Sequence, residues 1–207
     1  MVYWSYRKAD TGRDRFMKLK RIDAAVGLLS VIALLVHIGY TAYAYLAFYY
    51  NPTLKLLTAV PFMVLACLHA VLGMSAVFLQ GDGTRLDLYP KQNLRTIVQR
   101  ITAALILPLL ILHLNTYSLL RTCAEGGKWF FFALLMISQP LFYGTVLTHI
   151  ASSVTRGMIT LGWITDRDKQ KRLDRIVYTI AAIAFAVVAF AVVKGELAMF
   201  LPTGGTE

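Results

Sequence analysis

Residues 24–49 read AAVGLLSVIALLVHIGYTAYAYLAFY, a stretch of 26 residues without Asp, Glu, Lys or Arg. A helix of about 20 apolar residues crosses the roughly 30 Å hydrocarbon core of a bilayer, so this stretch predicts a transmembrane helix. Backbone groups in lipid must be paired within the segment itself, which favours a helix over an open strand. The stretch also contains one imidazole, that of His37.

Four more apolar stretches of spanning length follow the first one. They lie at 56–79, 97–120, 129–154 and 176–193. The chain is 57% hydrophobic with a mean hydropathy of +0.60, whereas soluble domains are about 45–50% apolar. We therefore predict an all-α integral membrane bundle of five helices that forms one domain over residues 1–207. The basic residues 1–23 precede an apolar run too long for a signal peptide, so we expect an uncleaved first span.

Basic residues are distributed very unequally among the segments that join the predicted spans. Of the 21 lysines and arginines, sixteen lie before the first span, between the second and third, or between the fourth and fifth, and Arg100 in the first turn of the third span makes seventeen on that side. The other side has only four, which are Lys55, Arg121, Lys128 and Lys194. The positive-inside rule then predicts a cytoplasmic N-terminus, including 1–23, and an outside C-terminus. This topology explains the net charge of +10 without a nucleic-acid partner.

Each of the first four predicted spans contains one histidine, and the chain has no others. They are His37, His69, His113 and His149. Ionisable side chains are costly inside a bilayer and usually serve a function there. A single one could simply form a hydrogen bond to a neighbouring helix, but four on four separate helices favour a common ligand.

The depths of the histidines sort them into two pairs. With a rise of about 1.5 Å per residue, His113 lies roughly 6 Å outward of the centre of its span and His149 roughly 12 Å toward the cytoplasm. His37 and His69 both lie near mid-membrane, His37 slightly outward and His69 slightly inward. We predict an outer pair of His37 with His113 and an inner pair of His69 with His149.

Two imidazoles that face each other across a helical bundle are suitable axial ligands of a b-type haem. The four histidines are therefore predicted to ligate the iron of two b haems. Arg100 and Arg156 lie at the cytoplasmic ends of their spans and could pair with haem propionates, although topology alone would also explain them. Small residues near the histidines would let a flat macrocycle approach a helix backbone; these are Gly39, Gly73, Gly144, Ser152 and Ser153.

Zinc binding and ion transport are alternative explanations of the same histidines. A zinc site needs about four ligands at one depth, whereas these histidines spread over roughly 18 Å along the membrane normal. Ion-coupled and proton-coupled transporters usually keep buried Asp or Glu, and the carboxylate that comes closest to a span is Glu196. A non-redox metal transporter thus stays open as an alternative that fits the pattern less well.

The layout resembles the five-helix, two-haem cytochrome b subunit of succinate dehydrogenases and fumarate reductases. The resemblance covers essentially the whole chain, and its specific signal is one histidine in each of helices one to four and none in helix five. The stretches His69-Ala-Val-Leu-Gly73 and His149-Ile-Ala-Ser-Ser-Val-Thr-Arg-Gly-Met-Ile-Thr-Leu-Gly162 are also similar to the family's segments around its inner-haem ligands. In that family, helices one and three hold the outer haem, and helices two and four hold the inner one.

The resemblance implies a subunit that anchors a flavoprotein and an iron–sulfur protein at the cytoplasmic face of a bacterial inner membrane. It would carry electrons between a membrane quinone and the iron–sulfur subunit, and it would not form the dicarboxylate site. Menaquinone is typical of the two-haem class, while a dimer of heterotrimers and the direction of the reaction are left open. Polar groups that could face the quinone are Tyr40, Tyr43 and Asn115 at the outer end and Trp163 at the inner end. An interfacial aromatic belt also explains the tyrosines.

Two positions depart from the pattern of some relatives. Certain two-haem fumarate reductases have a membrane glutamate two residues before the fourth haem histidine, where this chain has Leu147. A second acidic residue, expected near the outer start of helix two, has no counterpart in 51–59. Proton movement that depends on those glutamates is therefore in doubt here. The cytochrome b subunits of hydrogenases, formate dehydrogenases and nitrate reductases are an alternative, but they tend to place several haem histidines on fewer helices.

Overall fold

The protein is all-helical in the residues that its structure, a computed structural model, describes. These are the backbone of 2–80 and 90–200 and the side chains of 17–75 and 94–200. The helices are α1 (Val2–Ala47), α2 (Pro52–Gln80), α3 (Pro90–Glu125), α4 (Trp129–Thr160) and α5 (Arg167–Phe200). All five are long and apolar enough to cross a membrane, which indicates a multi-pass membrane protein. The predicted all-α class with five such helices is confirmed.

Every helix is longer than the span predicted for it. The first begins at Val2 instead of residue 24, and the fifth begins at Arg167 instead of residue 176. The thickness of the bilayer core limits the length of a span, but the i→i−4 hydrogen bonds continue into water wherever no residue breaks them. The predicted basic connection around Arg85 lies within 81–89, outside the described residues, as does the segment 201–207.

A short turn of residues 48–51 makes α1 and α2 antiparallel neighbours. Asn51 caps α2, since its Oδ1 accepts hydrogen bonds from the backbone amides of Thr53 and Leu54 at 3.0 and 3.1 Å. Pro52 occupies the first helical position, where the missing amide hydrogen costs nothing. The cap satisfies the first amides of α2 and so defines where this helix begins. We call this end of the bundle, which also contains the α3–α4 turn at 126–128, the outer end.

The helices pack around α4, and this arrangement separates the helices that carry each predicted histidine pair. In contact with α4 are α3, α5 and α1, and α5 also packs on α1. Within the described residues, α2 packs against α1 alone, so the backbones of α2 and α4 stand apart, as do those of α1 and α3. In the most hydrophobic stretch of α4, 44% of the residues are buried, whereas in that of α2 the share is 0%. The central helix is therefore α4, and side chains must bridge the gaps between the paired helices.

Candidate functional site

The inner pair of histidines faces across the gap between α2 and α4. The ring centroids of His69 and His149 lie 6.3 Å apart, with an angle of 62° between the ring planes. Both side chains are half-buried. The two helices do not touch through their backbones, so these imidazoles approach each other by reaching across the space between the helices.

Two residues of α1 hold His69 from the other side. A Cβ atom added to Gly27 would lie 3.0 Å from both Cε1 and Nδ1 of His69, so the ring packs directly on the backbone of α1. One turn earlier, Asp23 Oδ1 lies 2.8 Å from His69 Nδ1. That distance is typical of an ion pair, although the orientation is not that of a linear hydrogen bond. A Cβ added to Gly73 would be 3.9 Å from the same Asp23 oxygen, so this glycine leaves room for the carboxylate.

His149 is oriented by α3. Its Nδ1 lies 3.1 Å from Thr102 Oγ1 and 3.2 Å from the carbonyl oxygen of Gln99. The Thr102 hydroxyl donates its own hydrogen to the carbonyl of Val98 at 2.7 Å, so its oxygen is free to accept. Both partners of Nδ1 are therefore acceptors, which favours the tautomer with the proton on Nδ1.

In the outer pair, His113 is fixed by Gln139 of α4. Nδ1 of His113 donates to Gln139 Oε1 at 2.7 Å, while the Gln139 amide nitrogen donates to Thr116 Oγ1 at 2.6 Å. Gln139 is only 1% exposed, so its direction is set by the surrounding protein. The imidazole of His113 also stacks on Phe142, with 4.7 Å between the ring centroids.

His37 is held by α2 near the outer end. Its Nδ1 lies 3.3 Å from Thr58 Oγ1, and the Thr58 hydroxyl donates to the carbonyl of Leu54 at 2.9 Å. The ring lies nearly parallel to that of Phe62, at 6.3 Å. In the described residues no ring contact joins His37 to His113, but the two lie within electrostatic reach of each other.

One feature is common to all four histidines. Each Nδ1 faces an oxygen that accepts, or can accept, a hydrogen bond, and no described residue forms a hydrogen bond with Nε2. The Nε2 lone pair is the usual donor to a metal when Nδ1 is held by such a partner, because the partner fixes both the tautomer and the ring orientation. In this arrangement the Nε2 atom of each imidazole is available to a metal.

The contacts also place the four histidines at two levels along the bundle, an inner level with His69 and His149 and an outer level with His37 and His113. On α1, Gly27 touches the inner pair and lies ten residues before His37. On α3, Thr102 touches the inner pair and lies eleven residues before His113. Ten or eleven residues of helix rise about 15 Å, and the spacing from Thr58 to His69 on α2 is again eleven. Each level therefore has contributions from all four of the first helices, and two of them are histidines.

Comparison with protein-family models, with curated proteins and with solved structures gave no match to this chain. What the two levels can bind follows from their own side chains. No group of three or more His, Cys, Asp or Glu converges in the described part of the chain. A tetrahedral zinc site needs about four such ligands, whereas each level offers two imidazoles. Two ligands suit a cofactor that supplies the rest of the coordination itself.

Of the two arginines predicted to meet propionates, Arg156 has a defined position beside the inner level. Its Nη1 donates to Thr96 Oγ1 at 2.9 Å and to Gln99 Oε1 at 2.5 Å. The carbonyl of Gln99 is a partner of His149, so Arg156 lies next to the residue that orients an inner histidine. Arg100 is half-buried on α3.

The predicted quinone-facing residues have defined contacts or exposed positions. The hydroxyl of Tyr40 donates to the carbonyl of Asn51 at 2.8 Å and accepts from its amide at 3.0 Å, which fixes the α1–α2 turn. Tyr43 is 58% exposed and Trp163 is 67% exposed. The exposed amide of Asn115 donates to a carbonyl of its own helix, that of Ile111, at 2.8 Å. These placements fit an interfacial belt and helix-surface residues better than the wall of one pocket.

The glycines predicted to admit a macrocycle have different positions. Nothing lies within 4 Å of a Cβ added to Gly39, which is exposed and lies two residues, or about 200° around the helix, from His37. Gly144 packs on the ring of Phe185, 3.4 Å from an added Cβ. Only Gly73 faces the inner level.

Sequence reasoning missed the residues that orient the histidines. Asp23 is the last residue of the predicted cytoplasmic segment 1–23, outside the predicted spans, so the sequence did not connect it with the histidines. The sequence did contain a signal for Gly27. It follows Asp23 by one helical turn on α1, as Gly73 follows His69 by one turn on α2. Gln139 was another, as the only Asn, Gln or charged residue in 129–154.

Proposed function

We propose that this chain is the haem-carrying membrane anchor subunit of a succinate:quinone oxidoreductase or quinol:fumarate reductase. It carries electrons between a membrane quinone, of the menaquinone type, and an iron–sulfur subunit. The observation that carries the proposal is that His69 and His149 face each other in a membrane bundle, and that their Nε2 atoms have no hydrogen-bond partner among the described residues. The wider assignment to this enzyme class is supported by the layout of one histidine on each of the first four helices.

The inner pair fits a bis-imidazole haem. Metal–imidazole bonds are roughly 2 Å long, so two imidazoles on opposite sides of one metal have ring centres about 6 Å apart. The rings of His69 and His149 are 6.3 Å apart. His37 and His113 would hold the second haem at the outer level. When bound, each b haem supplies a one-electron redox centre.

The protein's own residues would set the orientation, the electrostatics and the dryness of these sites. The four Nδ1 partners hold the imidazoles in the ligating tautomer. Asp23 adds a negative charge beside His69, and Arg156 offers a cation near the inner level for a propionate. The apolar faces of the helices keep bulk water away from both levels.

The unequal distribution of basic residues supports one orientation of the helices in the membrane and one face for the partner subunits. With seventeen of 21 basic residues in the part of the sequence predicted to lie on one side of the membrane, the N-terminus would be cytoplasmic and the C-terminus outside, in a bacterial cytoplasmic membrane. The flavoprotein and iron–sulfur subunits would then bind at the cytoplasmic end, close to the inner pair. Electrons would pass between that face and a quinone through the two levels.

The test is a haem count on the purified full-length chain and on two histidine variants. We expect a reduced-minus-oxidised difference spectrum with a b-type α band and two haems per chain. His69→Ala should remove the inner haem and leave one, and His37→Ala should remove the outer haem and leave one with different spectral and redox properties. An absent α band would reject both this proposal and the other cytochrome b classes, and loss of both haems from either variant would contradict the two independent sites.

A further inference from the structure

Glu196 of α5 is the most deeply buried acidic side chain in the described part of the chain. It is only 2% exposed. Its Oε1 accepts a long hydrogen bond of 3.4 Å from the Tyr45 hydroxyl, and its Oε2 has no hydrogen-bond partner. None of the ion pairs among the described residues involves it. Burial without a charged partner makes the carboxylate costly, so these surroundings favour uptake of a proton by Glu196.

The groups that face Glu196 come from each helix packed against α5. From α1, the Tyr45 hydroxyl donates the hydrogen bond to Glu196, and from α4, Tyr143 lies within electrostatic reach of the carboxyl group. From α3, Tyr117 lies within electrostatic reach of Tyr45 and is itself exposed. Lys194 lies on α5 itself, but its Nζ lies over an aromatic ring of its own helix at 5.9 Å. Phenols are neutral under physiological conditions, so Glu196 is the member of this cluster suited to gain and lose a proton there.

Tyr143, which lies within electrostatic reach of Glu196, also contacts the surroundings of His113 at the outer level. The hydroxyl of Tyr143 donates to Gln139 Oε1 at 3.3 Å. The same oxygen accepts the Nδ1 hydrogen of His113 at 2.7 Å, and the rings of Tyr143 and His113 meet edge to face at 5.7 Å. Glu196 therefore does not touch a metal ligand, but one tyrosine separates it from the residue that orients His113.

We propose that Glu196 is a redox-linked proton site of the outer level, binding one proton when an electron arrives there and releasing it when the electron leaves. The inference rests on the proposed function, since it requires a haem between His37 and His113. An added electron makes the outer level more negative, and in a low-dielectric interior that charge favours a neutral acid nearby. One O–H bond forms on the carboxylate per electron gained, and the proton comes from water at the outer end.

The balance of charge gives this site a role in quinol oxidation. A quinol loses two electrons and two protons, and electrons pass singly through a haem. Glu196 gains a proton when the outer level gains an electron and loses it when the electron leaves. The buried charge therefore does not change overall. Glu196 thus lowers the cost of placing an electron within the membrane.

The experiment is a redox titration of both haems in the full chain at several pH values, with Glu196→Gln as the test variant. The wild-type outer haem should show a midpoint potential that falls as pH rises. In Glu196→Gln that dependence should disappear, with both haems still bound and the inner haem unaffected. The matched control is Glu125→Gln, because Glu125 is exposed and pairs with Arg121 on α3; it should keep the wild-type behaviour. A pH dependence that persists in Glu196→Gln overturns the inference.

Infrared difference spectroscopy of the wild-type protein provides a second measurement that needs no Glu196 variant. Reduction of the outer haem should produce a carboxylic-acid carbonyl band. In Tyr45→Phe, which keeps the acid but removes its hydrogen bond, that band should shift in frequency. No carboxylic-acid signal on reduction would overturn the inference even if Glu196→Gln fails to assemble. Failure of the proposed function is seen separately, as a wild-type spectrum without haem bands.

Discussion

The acceptor beside each histidine Nδ1 is different, and only one of the four is charged. His37 has a threonine hydroxyl, His113 a glutamine amide and His149 a carbonyl with a hydroxyl. His69 has the carboxylate of Asp23. A carboxylate partner makes an imidazole a stronger electron donor than a neutral partner does, so it favours the more highly charged state of a bound metal. Asp23 is therefore the one charged partner among these four, and it would favour the oxidised state of a metal bound at the inner level.

At this scale, Asp23→Asn should raise the midpoint potential of the inner haem. A tenfold loss of preference for the oxidised form corresponds to about 59 mV for one electron, and removing a hydrogen-bond partner of a metal-ligating histidine commonly changes metal affinity or activity by about 10–100-fold. We expect a rise of about 60 mV in the inner haem and no change in the outer one, measured by redox titration.

The control for this substitution is Asp174→Asn. Asp174 is another partly buried carboxylate toward the inner end, but it pairs with Arg95 at 3.0 Å and contacts no histidine. It should leave the inner potential near its wild-type value. Equal shifts in the two variants would mean that general charge, and not the contact with His69, sets the potential.

At the scale of the helices, the close approach of α1 and α2 is what positions His69. The ring packs on Gly27, where a side chain would collide with it, and Gly27 lies one turn from Asp23 on the same face. Small residues that allow such approach are the usual basis of packing between membrane helices. The α1–α2 pair thus acts as one unit that presents the inner histidine to α4.

Gly27→Leu should therefore abolish the inner haem and leave the outer one in place. The added Cβ would lie 3.0 Å from the imidazole, and overpacking of this kind typically costs about 1–3 kcal/mol, so His69 must turn away from its position. The haem content of the purified variant should fall from two to one. Gly39→Leu, at a site on α1 with nothing within 4 Å, should keep both haems; a two-haem Gly27→Leu protein would contradict the role assigned to this contact.

At the scale of the whole molecule, the bundle has two ends of different charge and two levels between them. Among the described side chains, the end with the α1–α2 and α3–α4 turns has few basic residues, and the opposite end has most of them. If the proposed haems are bound, an electron that enters at the outer end would meet the outer level first and the inner level second.

Reporter fusions test the orientation of the bundle. Alkaline phosphatase fused after α5 should be active, because that end is predicted to be outside the cytoplasm. The same enzyme inserted in the α4–α5 connection at 161–166 should be inactive. The reverse pattern would place the basic end outside and would exclude soluble subunits at the proposed face.

The sequence by itself determined the helix count, the all-α class and the four histidines, because spanning length, missing charge and ionisable residues in apolar runs are local properties. It did not determine helix ends, since α1 and α5 continue as helices well beyond the bilayer limit. Only the tertiary structure brought Asp23 and Gly27 to His69, Gln139 to His113, and Tyr45 to the buried Glu196. These contacts join residues far apart in the chain, and their existence depends on which helix faces which, a property that hydropathy does not encode.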